Sequence, residues 1–267
     1  MHALATSGAS ARRSSDPERH SRATLVGVLG ELLLTAGVVV LLFLTWQLWI
    51  GDVIISNENN ARGAELSERW AEQPAPELPP AVQRGDATIY EPPLLPHPAD
   101  AEIFANLRVP RFGHDYNVNI AGGTTRERTL DRVGIGVYTQ SKMPGQAGNF
   151  SLAGHRTTWG APFNRIDELH LGDALVVETE LGWYTYRFRN LQYVEPSAAD
   201  VLLDVPQMPG VPAGDRFITL TACSPLYSFA ERIVAYGVFE AFQPRAAGPP
   251  DSLAPVEEAG LSAEGAI

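Results

Sequence analysis

Trp183-Tyr184-Thr185-Tyr186-Arg187-Phe188 alternates large β-forming side chains with polar positions, the period-two pattern of a half-buried strand. Reading outward, further β-rich runs occur at residues 105–109, 118–121, 149–153, 174–178, 216–222 and 233–239, and the quoted run itself extends over 184–194. Pro144-Gly145, Pro206, Pro209-Gly210 and Pro212 break the chain between them. Many short strands at such spacing imply a mainly β domain, closed or nearly closed into a barrel, with a few short helices. Short helices are expected at 127–132 and 163–169. Strand spacing alone does not separate a barrel from a sandwich.

The chain has 267 residues and a formal net charge of -11. That suits one ordinary domain with accessory segments. It argues against nucleic acid, because phosphate binding needs a concentrated basic face. Lys142 is the only lysine, and the Ala, Gly and Pro content suggests a GC-rich genome.

Residues 25–50 form the longest apolar stretch, and no charge occurs from Leu32 to Ile50. A helix of that length crosses the roughly 30 Å of a bilayer's hydrocarbon. Glu31 lies toward one end, and Trp46 and Trp49 sit at the other, as interfacial aromatics do. Arg12, Arg13, Arg19 and Arg22 precede the span, so the positive-inside rule puts the N-terminus in the cytoplasm and everything after Ile50 outside. A cleaved signal peptide is the alternative, but residues 49–55 offer no Ala-x-Ala site. The expected organisation is a basic cytoplasmic segment (1–24), a membrane anchor (25–50) and a Pro-rich extracellular linker (51–100). A catalytic barrel (101–242) and a disordered tail (243–267) follow. The linker's eight prolines between Pro74 and Pro98 favour extended spacing over a packed core.

Cys223 is the only cysteine and ends the run Ile218-Thr219-Leu220-Thr221-Ala222-Cys223. It cannot form an intramolecular disulfide, and the commonest fate of a lone cysteine is that of a small buried hydrophobe. In a strand, Thr219, Thr221 and Cys223 share one face, and Ser224-Pro225 ends the pairing beside a loop. His155 follows Gly154 after an apolar strand, whereas the other five histidines fall in loops or terminal segments. Arg232 lies nine residues beyond the cysteine. It could pair with Glu231 in solvent, or offer a fixed cation to an oxyanion. A thiol, an imidazole and a guanidinium are the groups required for nucleophilic attack on a carbonyl, proton transfer and oxyanion stabilisation. No acidic run has the density of a calcium site, and no cofactor is implied.

Taken together these motifs resemble the sortases, specifically the class E sortases of high-GC Gram-positive bacteria. The resemblance runs from about Leu107 to Phe242. It rests on Arg108-Val109-Pro110-Arg111, Pro144-Gly145-Gln146-Ala147-Gly148-Asn149-Phe150, Ala153-Gly154-His155-Arg156-Thr157-Thr158 and Gly160-Ala161-Pro162-Phe163. Gly172-Asp173, Gly182-Trp183-Tyr184-Thr185-Tyr186 and Thr219-Leu220-Thr221-Ala222-Cys223 with Arg232 complete it. It implies a closed sortase-type barrel of about eight strands, preceded by one transmembrane helix. It also implies a cysteine transpeptidase that cuts a C-terminal sorting signal of secreted proteins between Thr and Gly. The Thr carbonyl is then joined to an amine of a peptidoglycan precursor or cross-bridge. Carried over by motif, Cys223 is the nucleophile, His155 the proton donor and acceptor, and Arg232 the group holding substrate and oxyanion.

One position departs from the family signature Thr-Leu-x-Thr-Cys: Ala222 precedes the cysteine. The departure concerns the substrate pocket, with Thr221 and Ala222 as candidate lining residues. It bears on whether the signal is of the Leu-Ala-x-Thr-Gly or the Leu-Pro-x-Thr-Gly type. Tyr138 resembles the family's signal-contacting tyrosine; it could equally pack on the barrel. Peptidoglycan L,D-transpeptidases are a competing reading, but they place His-Gly directly before the cysteine, unlike Thr-Ala-Cys here. A pilus-polymerising sortase and a non-catalytic membrane-anchored module are the remaining alternatives.

Overall fold

The computed structural model describes residues 24–46, 50–74, 76–85 and 87–253. The N-terminal arginines, Trp49 and residues 254–267 lie outside these. Helix α1 (Leu25–Thr45) has no buried residue and a mean hydropathy of 2.4 over its most apolar window. Among the described residues it is the one helix long and apolar enough to cross a membrane. A second unit begins at Thr45 and contains everything that follows.

That unit is a closed barrel. Its strands are β1 (Ala81–Arg84), β2 (Ala87–Tyr90), β3 (Ile103–Arg108), β4 (Val118–Gly122), β5 (Ile135–Val137) and β6 (Gly148–Gly154). They continue with β7 (Ala174–Thr179), β8 (Gly182–Val194), β9 (Arg216–Ser224) and β10 (Glu231–Pro244). Neighbours run β10-β8-β7-β3-β4-β5-β6-β9, and β9 pairs back onto β10 to close eight strands. The β1–β2 hairpin hangs on β10 through Phe242 and Tyr90. All seven expected strand runs are present. Strand β5 has only three residues, too few for a visible alternation. Of the two expected helices, 127–132 overlaps a short π-helical turn (Arg126–Leu130), while 163–169 holds a single 3-10 turn (Ile166–Glu168).

Alternation decides what lies inside. Tyr184, Tyr186 and Phe188 on β8 join Ile218, Leu220 and Ala222 on β9 in one core. Their intervening neighbours point to the outer face of the barrel, where Trp183, Thr185, Thr219 and Thr221 are themselves covered and buried. Burial pushes the Tyr184 and Tyr186 phenols well above their ordinary value, with a smaller effect from Tyr186 on Tyr184. Both remain protonated and bonded: Tyr184 Oη donates to Pro93 O at 3.1 Å, and Tyr186 Oη accepts from Gly145 N at 2.8 Å.

Two stretches expected to lie outside the packed domain are folded where described. Residues 51–72, read as the start of a linker with helix-compatible residues from Asn57 to Glu72, form helix α2 (Gly51–Glu72). No apolar stripe marks it because only one of its buried positions is a large apolar residue: they are Asn59, Gly63 and Trp70, on one face by their spacing. Asn106 Nδ2 donates to Gly63 O at 2.9 Å, Asn117 N to Asn60 Oδ1 at 3.1 Å, and Ser67 Oγ to Glu178 Oε2 at 2.8 Å. A Cβ at Gly63 would collide with the Asn117 carbonyl. Gly63→Ala is therefore expected to unseat α2 at a cost of about 1–3 kcal/mol. Hydrogen exchange of α2 amides should accelerate while β8 and β9 stay protected; unchanged protection of α2 would contradict this seam. Of the later prolines, Pro92 is buried and Pro93 O accepts a hydrogen bond from the Tyr184 hydroxyl.

The second stretch is the expected tail from 243. Strand β10 continues to Pro244, and Arg245 stacks on Trp183 and Trp70 while pairing with buried Glu178 at 3.1 Å. An Ala-, Pro- and Gly-rich composition hides this because one arginine supplies the anchoring.

Asp173 ties the turn before β7 to the segment after β3, accepting two hydrogen bonds from Arg111 at 2.7 and 2.9 Å. Burial works against its charge, but the Arg111 guanidinium, helped by the His170 amide, outweighs it. The carboxyl is held below its ordinary 3.8. A depressed carboxyl stabilises the fold above that value and loses its contribution as pH falls through the folded-state pKa. Asp173→Asn is expected to cost about 2 kcal/mol near neutral pH. The thermal midpoint should fall by roughly 4–8 °C, and the gap to the unaltered chain should close on acidification below 3.8. A gap independent of pH would contradict the assignment.

Candidate active site

Three adjacent strands converge at one end of the barrel. Strand β9 lies between β6, to which it is parallel, and β10, to which it is antiparallel. The register pairs Ala153 with Thr221, and Cys223 with Arg232. His155 stands two residues beyond Ala153, as Cys223 stands two beyond Thr221. Neighbouring strands about 5 Å apart thus bring imidazole, thiol and guanidinium to one level of the sheet. All three line a cleft of about 660 Å³. The structure brings together the three residues that the sequence motifs separated by up to 77 positions.

Local packing positions each group. A Cβ on Gly154 would meet the Phe163 ring at 2.8 Å, so the glycine before His155 serves a close approach rather than an unusual φ. The same loop folds back onto the histidine's backbone: Phe163 N donates to His155 O at 3.0 Å and Asn164 Nδ2 to Arg156 O at 3.1 Å. Cys223 is half-buried on the outer face of β9 together with Thr219 and Thr221. Arg232 Nη1 donates to the carbonyls of Phe229 and Glu231 at 3.4 and 3.0 Å. It braces the β9–β10 loop through main-chain oxygens and does not pair with the Glu231 carboxylate.

Tyr138 and Thr221 meet at 3.0 Å, and both line the cleft. Because the Thr221 hydroxyl donates to Leu152 O at 3.1 Å, Tyr138 is the donor between the two. Ala222 borders the cleft but packs its methyl into the barrel core. Exposed aromatics, Trp159 on one side and Tyr227 and Phe229 on the other, form the rim.

Sequence reading missed three contributors. Asp131 Oδ1 lies 2.7 Å from His155 Nε2. Its position follows from the antiparallel pairing of Ile135 with Gly154, which sets the turn before β5 beside the end of β6. No local motif announces a contact across 24 residues. Arg156 is buried at 6% exposure, reaching Asp167 at 2.8 Å and Ser224 Oγ at 3.3 Å, so it spans from the histidine loop to the residue after Cys223. Asp52, in the first turn of α2, accepts from Thr158 N at 3.0 Å and Gly160 N at 3.3 Å. Thr158, Trp159 and Ala161 in this loop have positive φ, a strained conformation for side-chain-bearing residues. The acidic residue of α2 therefore holds a strained wall of the cleft in place.

The electrostatics are local. Among the described residues, Arg126, Arg156 and Arg232 line the cleft and no acidic residue does, the Asp131 and Asp167 carboxylates lying behind His155 and Arg156, although the whole chain carries -11. Such surroundings stabilise negative charge developing on a carbonyl oxygen or a sulfur. Among the described residues, no group of three or more His, Cys, Asp or Glu is placed to hold a metal ion.

Comparison with known proteins gives this geometry a family. Residues 107–240 match the model of the sortase domain. The chain is 34% identical to sortase SrtE1 of Streptomyces coelicolor over 91% of its own length and 65% of that protein, so it spans just under two thirds of that relative. It is 32% identical to sortase SrtE2 of the same organism over 80% of its length and 82% of the relative. Among solved structures, sortase E1 from Streptomyces coelicolor with a tripeptide in the active site aligns with a TM-score of 0.54 at 36% identity. That alignment covers 58% of this chain and 99% of the other. Sortase E from Streptomyces avermitilis gives 0.53 at 33% identity over 58% and 99%. SrtA sortase from Actinomyces oris gives 0.58 at 32% identity over 64% and 96%. The chain belongs to the sortase family and is similar to its class E members.

Proposed function

We propose that this chain is a membrane-anchored cysteine transpeptidase that cleaves a C-terminal sorting signal between Thr and Gly and transfers the Thr carbonyl to an amine. The observation that carries the reading is the alignment of His155, Cys223 and Arg232 on three adjacent strands in one basic cleft. The Cys223 thiol gives its proton to His155 as the sulfur attacks the Thr carbonyl carbon, and the oxyanion that forms is held by Arg232. As the carbon–nitrogen bond breaks, His155 passes that proton to the departing glycine amine, leaving a thioester on Cys223. An incoming amine gives its proton to His155 and attacks the thioester carbonyl, and the departing sulfur takes that proton back from His155 as the thiol.

The tripeptide held in the active site of Streptomyces coelicolor sortase E1 supports an extended peptide as occupant of this cleft. Tyr138, joined to Thr221 on the cleft wall, then faces the signal, whereas Ala222 only borders it, its methyl turned into the core. The acceptor is an amine of a peptidoglycan precursor or cross-bridge, and the protein substrates are secreted chains bearing a Leu-Ala-x-Thr-Gly or Leu-Pro-x-Thr-Gly signal. Helix α1 anchors the enzyme with its N-terminus in the cytoplasm and the barrel outside.

The test uses the full chain in detergent micelles, the two signal peptides and a glycine-type amine, with products followed by mass spectrometry. Cleavage between Thr and Gly with ligation to the amine is expected, and the faster peptide identifies the preferred signal. Absence of ligation with either peptide would contradict the reading.

A further inference from the structure

We propose that Asp131 is a positioning residue for His155, fixing which ring nitrogen exchanges protons with the substrate; the proposal rests on the transpeptidase reading for the reaction it serves. Asp131 Oδ1 sits 2.7 Å from His155 Nε2, with the two side chains only 15% and 13% exposed. An ionised carboxylate accepts and does not donate. Nε2 therefore keeps its hydrogen whether the ring is neutral or charged. Nδ1 has no protein partner among the described residues, so it is the nitrogen free to act. The proton that reaches the departing glycine nitrogen leaves from Nδ1, and the proton of the incoming amine arrives there. The Nε2–H bond to Asp131 persists throughout, and the carboxylate is never protonated.

The carboxylate is held firmly. Residues 126–130 wind as a π-helical turn, a rare conformation that is frequent at functional sites. Asp131 N donates to Arg126 O at 2.8 Å, and Val133 N donates to Thr129 O at 2.8 Å. Thr129 is fully buried, and its hydroxyl donates to Gly122 O at 3.2 Å. The whole turn is thereby fastened to β4, which runs parallel beside β5.

A counter-charge is also needed. The charged or titratable groups sharing the cleft with His155 are Arg126, Arg156, Arg232, Cys223, Tyr138 and Tyr227. Arg126 approaches the same Asp131 oxygen at 3.8 Å but is 65% exposed, so it contributes little. Arg156 is already paired with Asp167 at 2.8 Å, so an imidazolium beside Arg126 and Arg232 has Asp131, at 2.7 Å, as its counter-charge. Asp131 thus supplies both the tautomer and the compensating charge.

The test labels the full chain with 15N in detergent micelles and reads the histidine rings by long-range 1H–15N correlation, with His155 assigned by the signals lost in His155→Gln. The neutral ring is expected as the Nε2–H tautomer. Asp131→Ala should redistribute it toward Nδ1–H and lower kcat roughly 10- to 100-fold, with KM for the peptide within about twofold. A wild-type ring in the Nδ1–H form, or a tautomer and kcat unchanged in Asp131→Ala, overturns the proposal. Should Asp131→Ala not fold, Asp131→Asn keeps the shape and removes the charge; a lowered kcat with unchanged KM is expected, and an unchanged kcat overturns it. If the wild-type chain ligates neither peptide, the transpeptidase reading fails instead, and the tautomer readout still decides the role of Asp131.

Discussion

Cys223→Ala is expected to leave no detectable ligation or Thr–Gly cleavage while the barrel remains folded. The two halves of this expectation have separate grounds. Chemically, no second cysteine exists to substitute for the lost thiol, and an amide does not exchange with an amine at a useful rate without a nucleophile to divide the reaction into two steps. Structurally, the sulfur lies half-buried on the outer face of β9 and forms no part of the core cluster beneath it. The ladder between Cys223 and Arg232 runs through the main chain, which alanine preserves. The thermal midpoint should therefore move by no more than a few degrees, since a small outward substitution costs about 0.5 kcal/mol or less. A folded Cys223→Ala chain that still ligates would place the nucleophile elsewhere.

Arg232→Lys is expected to lower kcat/KM by roughly 10²–10³, the usual worth of one oxyanion donor. Retained charge does not rescue it, for a geometric reason. The guanidinium bonds the carbonyls of Phe229 and Glu231 with one of its nitrogens, leaving further donors in a fixed plane for the substrate. An ammonium is a single rotatable point and cannot hold the loop carbonyls and an oxyanion together. The loop carrying Tyr227 and Phe229 should loosen in the same variant, visible as faster hydrogen exchange after Ser224. Activity within about threefold of the unaltered enzyme would assign oxyanion stabilisation to another group, with Arg156 next in the cleft.

Much of the fold was legible because alternation is a local signal. Tyr184 to Phe188 on β8 and Thr219 to Cys223 on β9 state their faces in the sequence, and both face assignments hold in the structure. What escaped reading depends on contacts between distant segments. Helix α2 docks through Asn59, Gly63 and Ser67, polar and small residues that carry no hydropathy signal. The C-terminal end of β10 is secured by Arg245 between two tryptophans, one of them on α2 and the other on β8.

The candidate site divides the same way. Residues within recognisable motifs, His155, Cys223 and Arg232, were identified from the chain alone, and the structure seats them in one cleft. Asp131, Arg156 and Asp52 were not, since each acts through a partner between 11 and 108 positions away. Gly154 shows a subtler limit. In the sequence a glycine before the histidine suggests a tight backbone turn, whereas what requires it is the Phe163 ring packed against it.

Intact-protein mass spectrometry of the full chain, mixed with a sorting-signal peptide and no amine, tests the central claim most directly. A covalent adduct is expected with the mass of the peptide up to its threonine, less water, mapping to Cys223 and disappearing when a glycine-type amine is added. Glycine-containing fragment released without any adduct on Cys223, or an adduct persisting in Cys223→Ala, would contradict a thioester mechanism at this cysteine.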